Sequence, residues 1–151
     1  MRSNGWLKDQ LDFLLKTYFS DIKISNPIEI KFGREAKYRF GSIRLYSNSK
    51  LKIPNPKFLF KKVPQRSIIT ITSLFAKENV SVGVVRYTIC HELCHYAHGF
   101  SSSNKRLFKH PHHGGIVNKE LKERGAEDLI SAFKKWLKDY RAQILKTRVK
   151  L

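Results

Sequence analysis

His91, Glu92 and His95 stand in the order His-Glu-x-x-His inside the run Cys90-His91-Glu92-Leu93-Cys94-His95. A helix turns by about 100° per residue, so histidines four apart share one face and their imidazoles can converge on a single ion. Glu92 falls beside that stripe, where its carboxylate can take a proton from a metal-bound water; the spacing makes it a base rather than a ligand. Zn2+ suits these donors and lowers the pKa of its water towards neutrality. A catalytic zinc site also keeps one coordination position open, so a third protein ligand must come from elsewhere in the chain.

Downstream, Lys109-His110-Pro111-His112-His113-Gly114-Gly115 places three histidines within four residues, a density that suggests metal binding. His98 lies one turn beyond His95 and would point away along the helix axis. The longer metzincin spacing is not met, because Gly99 and Ser101 occupy the wrong places. A carboxylate ligand from a later helix would be Glu120, Glu123 or Glu127. Residue chemistry alone leaves this choice open.

The surroundings of the motif favour metal over an ordinary pair of core histidines. From about Ser81 to His98, Val82, Val85, Ile89, Leu93 and Tyr96 recur at helical spacing, and Val84, Cys90, Cys94 and Ala97 make most of the remaining circumference apolar. Gly99 is placed to stop the helix as a C-terminal cap. In a helix buried nearly all round, a carboxylate and two histidines are costly unless something compensates them.

The run Thr88-Ile89-Cys90-His91-Glu92-Leu93-Cys94-His95, followed after a loop by His113-Gly114-x-x-Val117, resembles the SprT-like zinc metalloproteases. The strand Ile68 to Thr72, ending in Ser73-Leu74, and the stretch around Phe40-Gly41-Ser42-Ile43 resemble the same family. The resemblance is concentrated between residues 68 and 118. It implies a zincin-like fold, Zn2+ as cofactor, and His113 as third ligand beside His91 and His95, with His112 and His110 as alternatives. The chain departs from the family in carrying Val117 where Phe or Trp is usual, and in lacking the cysteines for the zinc ribbon that bacterial members often add. The resemblance further implies endopeptidase action on proteins bound or crosslinked to DNA, hence a part in DNA repair. Tyr96, His110 and His112 are the candidates to stabilise an oxyanion.

Composition bounds these expectations. A length of 151 residues is enough for one core and short for two, so a single domain is expected over residues 1–151, with 126–151 forming a basic C-terminal helix and tail. No apolar stretch approaches the roughly 18 residues of a membrane span, and Met1 to Trp6 shows no apolar leader core. Two cysteines four apart are no disulfide framework and suit a reducing compartment; they read as small buried hydrophobes. The expected place of work is the cytoplasm, at the nucleoid or on chromatin, and the expected state is a monomer.

Thirty basic residues against twelve acidic ones give a net charge of +18, which fits nucleic acid, an anionic membrane surface or a solvated basic exterior. Between residues 31 and 62, ten Lys or Arg face one acid, Glu35, and are interleaved with Phe32, Tyr38, Phe40, Tyr46, Phe58 and Phe60. Lys31, Arg34, Lys37, Arg39, Arg44, Lys61 and Lys62 are therefore candidates to follow a nucleic-acid backbone, with exposed aromatics stacking on bases. DNA is the expected nucleic acid, and proteins are the expected substrates. The competing function is a nucleic-acid-binding protein whose zinc site is structural or inactive. Glu92 weighs against it, since a structural site has no use for a carboxylate beside the ligands.

The elements that must position these residues are legible as an α+β layout. A helix is expected from Gly5 to Phe19, with Trp6, Leu7, Leu11, Leu14, Leu15 and Tyr18 as its apolar stripe. Strands follow at Ile28–Phe32, about Tyr38–Tyr46 and Ser67–Thr72, and Lys50–Ile53 offers a fourth before the turn Pro54-Asn55-Pro56. The expected fold is thus an N-terminal helix, a short mixed sheet of three to four strands, a central active-site helix and C-terminal helices at about 115–124 and 126–146. In zincin-like proteases an extended substrate adds to the sheet edge beside the active-site helix. Residues 100 to 112 read as a polar loop between ligands that could act as a lid.

Overall fold

The computed structural model describes residues 1–47 and 65–149. The candidate fourth strand, the turn after it, Phe58, Phe60, Lys61 and Lys62 lie outside the described residues.

Helix α1, Asn4–Tyr18, begins where the Ser3 hydroxyl accepts the Trp6 N–H at 3.1 Å, which satisfies one of the free amides of the first turn. Its Leu7, Leu11 and Leu14 recur at four- and three-residue intervals and are fully buried, so the expected stripe is the face that meets the core. The three strands are β1 (Ile28–Phe32), β2 (Gly41–Ser47) and β3 (Gln65–Ile71). Their order is β1-β3-β2, with β3 central, parallel to β1 and antiparallel to β2, so the sheet is mixed. In register, Ile30, Ile69 and Ile43 form one row across the sheet, and all three are buried. Side chains alternate along a strand, so this row faces the helices, while Lys31, Thr70 and Ser42 form a neighbouring row on the opposite face.

Strand β2 starts at Gly41, three residues later than the sequence suggests. Phe40 is occupied elsewhere, its ring 5.5 Å from Phe75, 6.1 Å from Phe133, 5.2 Å from Trp136 and 5.7 Å from Tyr140. The backbone before β2 therefore docks on the C-terminal helix instead of extending the ladder. The interleaved aromatics divide accordingly: Phe32 and Phe40 pack against the core, whereas Tyr38 and Tyr46 are exposed.

Helix α2, Val82–Ala97, runs through the centre of the molecule and buries eleven of its residues. Val82, expected in its apolar stripe, is exposed because it occupies the first turn, ahead of the point where the helix enters the core. Helices α3 (Ile116–Glu123) and α4 (Glu127–Val149) complete the helical layer, with Val117, Leu121, Leu129 and Ile130 buried in the same core. A short 3-10 turn, His113–Gly115, leads into α3. Among the described residues no helix is long and apolar enough to cross a membrane.

The end of α2 is shaped by the loop that follows it. The last carbonyls of a helix lack intrahelical partners, and here the loop supplies them: Phe100 donates its N–H to His95 O at 2.9 Å and the Ser102 hydroxyl donates to Tyr96 O at 2.7 Å. Gly99 has a φ of 82°, and a Cβ there would lie 2.5 Å from the backbone of Lys105 and Arg106. Glycine is required on both counts, by the left-handed turn and by the close return of the loop. Buried Asn26 ties the same loop to the sheet, donating to the Ser67 hydroxyl at 2.8 Å and accepting the Ser103 N–H at 2.9 Å. The segment between Gly99 and the histidine cluster is thus anchored at its root.

Candidate metal centre and catalytic cleft

Thr88, His91, Glu92 and His95 form one stripe of α2, and this stripe is the floor of a cleft of about 540 Å³. One wall is β2, through Gly41, Ser42 and Ile43; another is α4, through Phe133, Leu137 and Arg141; Phe100, Pro111 and His112 close the end. Strand β2 is an edge of the sheet among the described residues, so the cleft runs beside a strand with a free side.

His91, His95 and His112 converge. Their potential ligand atoms all lie within 4.8 Å of one another, and His91 Nε2 is 3.0 Å from His112 Nε2. Three nitrogens at about 2.0–2.1 Å from one tetrahedral ion would be about 3.3–3.4 Å apart, so small ring movements bring this trio to coordination distance. His95 is buried, its Nδ1 without a hydrogen-bond partner among the described residues, and His112 is exposed at the cleft mouth. Burial, with His112 adding to it, holds the His91 imidazole down at about 4. For His95, burial and then the neighbouring histidines hold it at about 3. Both rings are therefore neutral near pH 7 and offer lone pairs rather than protons, which is what a metal ion requires. The donor set fits a metal ion with three imidazole ligands.

The structure brings His112, one of the alternatives, to His91 and His95, and leaves His113, the third ligand that the SprT-like resemblance implies, outside the group. The two neighbours sit in a tight turn and diverge, His113 being exposed with its ring 6.5 Å from that of Phe108. Gly114 and Gly115 follow with φ of 59° and 68°, the left-handed conformation that lets the chain reverse into α3. His110 is also exposed and does not line the cleft. The alternative carboxylate ligands are elsewhere: Glu123 and Glu127 are exposed, and Glu120 accepts from buried His98 at 3.0 Å while lying 3.7 Å from Arg124.

Glu92 is 5% exposed and faces the cleft beside β2, where burial pushes its carboxyl up to about 7 while Arg39 opposes the rise. Gly41 makes this approach possible. A Cβ on Gly41 would lie 2.7 Å from Thr88 Cγ2 and 3.4 Å from Glu92 Oε1. Thr88 cannot yield easily, since it is buried, β-branched and donates its hydroxyl to Val84 O at 3.0 Å. The Gly41→Ala variant is accordingly expected to lose about 1–3 kcal/mol of stability through overpacking, measured by chemical denaturation. A variant as stable as the parent would show that β2 does not press on α2 as described.

Tyr96 is corrected as an oxyanion candidate. It is fully buried, donating its hydroxyl to Asn26 O at 2.7 Å and accepting the Asn26 N–H at 3.2 Å, so it braces the fold away from the cleft. The expected basic residues are all exposed where described, but they do not form one patch. Lys31 and Arg44 share the outer face of the sheet, Lys37 borders a groove with Tyr38, Arg141 and Arg148, and Arg39 alone of the expected residues lines the cleft over α2. Cys90 and Cys94 are buried free thiols; burial pushes Cys90 up to about 12 and raises Cys94 as well, so both are neutral core residues.

Sequence reasoning missed two features. One is the polar chain from His98 through Glu120 to Arg124, whose guanidinium reaches Tyr18 O at 2.8 Å and Asp21. The other is Arg141, which the positions Phe133, Leu137 and Arg141, each four apart, could have placed on one face. In comparisons with known proteins, no family model, no curated protein and no solved structure matches the chain.

Proposed function

We propose that this chain is a zinc-dependent metalloendopeptidase of the SprT-like kind, with His91, His95 and His112 as the residues that hold the metal and Glu92 as its general base. The observation that carries the reading is the convergence of three imidazoles, two of them, those of His91 and His95, held neutral by burial, beside a buried carboxylate in an open cleft. Bound zinc would supply Lewis acidity and a water acidified towards neutrality. Glu92 takes the proton from the attacking water and returns it to the leaving amine, a shuttle that works best when the carboxyl titrates near the operating pH. The side of β2 that is unpaired among the described residues offers main-chain hydrogen bonds to an extended peptide, which would position a scissile bond over the α2 stripe without demanding one side-chain sequence. An exposed ligand in an open cleft suits catalysis better than a closed structural site.

The chain loaded with Zn2+ is expected to cleave an unfolded protein, to stop on chelation and to recover on zinc addition. Stoichiometric zinc without any cleavage would overturn the reading. The net charge of +18 and the exposed Lys31, Arg34, Lys37, Arg39 and Arg44 support action on proteins bound or crosslinked to DNA. If phosphate contacts recruit the protein, its affinity for DNA falls steeply as salt rises from 50 to 200 mM, by about 10³-fold for six contacts. A flat salt response would remove DNA from the proposal while leaving hydrolysis untouched.

A further inference from the structure

Arg39 and Arg141 are the charged residues of the cleft that the proposed hydrolysis leaves unused. They arrive from different parts of the fold, Arg39 from the segment before β2 and Arg141 from the α4 face that also carries Phe133 and Leu137. Both backbones are held. The segment 36–40 is tied down by Ala36 N–H donating to the Thr72 hydroxyl at 2.9 Å, Thr72 N–H donating to Phe40 O at 2.8 Å, and the Tyr140 hydroxyl donating to Lys37 O at 2.9 Å. Edge-to-face contacts of Phe40 with Trp136 and Tyr140 join that segment to α4 itself. The two arginines are therefore presented to one cavity from elements fixed to each other.

Among the described residues Glu92 is the only acid that lines the cleft, and neither arginine is paired with a carboxylate. Two arginines that line one cavity beside the apolar wall of Phe133 and Leu137 are suited to a planar anion, because arginine binds carboxylates through paired, charge-assisted hydrogen bonds. We propose that Arg39 and Arg141 form a carboxylate-recognising subsite, so that the cleft selects peptides carrying a carboxylate close to the scissile bond. The inference rests on the peptide-hydrolase reading of the cleft. The carboxylate has two possible sources, an internal Asp or Glu side chain or a free C-terminus. The first makes the enzyme an endopeptidase with acidic preference, and the second makes it a carboxypeptidase.

The test must separate a subsite from the general attraction of a strongly basic protein for any acidic peptide. Fluorescence anisotropy is measured on the full chain carrying Glu92→Gln, loaded with Zn2+, using matched labelled peptides. One has an internal Glu and an amidated end, one has Gln there and an amidated end, and one has Gln with a free C-terminal carboxylate. Whichever carboxylate is recognised, its peptide is expected to bind about tenfold tighter than the uncharged one. That preference should collapse when Arg39→Gln and Arg141→Gln are added and persist when Lys134→Gln and Lys135→Gln, exposed and off the cleft, remove the same charge. Equal loss in both pairs, or no preference in the parent, overturns the subsite. So does loss of single-stranded oligonucleotide binding with peptide preference intact, which would assign the arginines to phosphate. Cleavage of the same peptides by the unsubstituted chain keeps the two readings apart. No cleavage of any peptide defeats the hydrolase reading, whereas cleavage indifferent to the carboxylate defeats the subsite alone.

Discussion

Replacing Glu92 with glutamine is expected to lower peptide hydrolysis by about 10²–10⁴-fold, the usual contribution of a positioned general base, while zinc content stays unchanged. The substitution keeps shape and removes only the ability to accept the proton. Because Glu92 lies beside the histidines rather than among the three converging donors, the metal should not notice the change. The metal-free protein gives a second readout. The Glu92 carboxyl rises from 4.5 to about 7 on burial, so its ionised form is disfavoured in the folded state. A raised folded-state pKa gives stability that is whole below about pH 4.5 and lost as pH climbs through about 7, a loss of up to about 3 kcal/mol. The glutamine variant has no such titration. Metal-free denaturation curves of parent and variant should therefore diverge between about pH 4.5 and 7, with the variant gaining ground. Undiminished cleavage by Glu92→Gln would sink the mechanism, and parallel stability curves would show that the carboxyl is not buried as described.

Removing one imidazole should separate His112 from His113 as sharply. Loss even of a group that supports a metal ligand costs about 10–100-fold in affinity, so His112→Ala is expected to weaken zinc binding by more than about 100-fold. His113→Ala should retain it, because that ring lies by Phe108 rather than beside His91 and His95. Metal analysis after dialysis reads the difference directly. Thermal unfolding reads it independently, since zinc at 100 times its dissociation constant stabilises the parent by about 2.7 kcal/mol. That gain should survive in His113→Ala and vanish in His112→Ala. The reverse pattern would restore the ligand suggested by the SprT-like resemblance and reject the turn geometry between Pro111 and Gly115.

Both experiments trace back to features with different degrees of legibility. The buried faces of α1 and α2 could be read from periodicity because helix geometry is local, and Leu7, Leu11 and Leu14 could hardly be buried in any other way. The described strands were legible from alternation and flanking turns, save that β2 yields Phe40 to an aromatic cluster on α4. No local rule announces that exchange, since Phe40 suits a strand and a core equally well. The basic candidates were legible as charges and not as a surface: Lys31 and Arg44 face one side of the sheet, while Arg39 turns into the cleft.

The sequence by itself determined that His91 and His95 share a face with Glu92 beside them, because 3.6 residues per turn leaves no other arrangement once α2 forms. It also determined that this helix is central, since its apolar residues cover nearly the whole circumference. Only the tertiary structure decided the third imidazole, which depends on how a turn with two left-handed glycines aims two adjacent side chains. Only it showed Gly41 giving Glu92 room against β2, and Arg141 lining the same cleft as Arg39. Spacing specifies direction within one element. The meeting of side chains from separate elements depends on packing, and residues 41, 92, 112 and 141 line one cleft only when the core has brought them together.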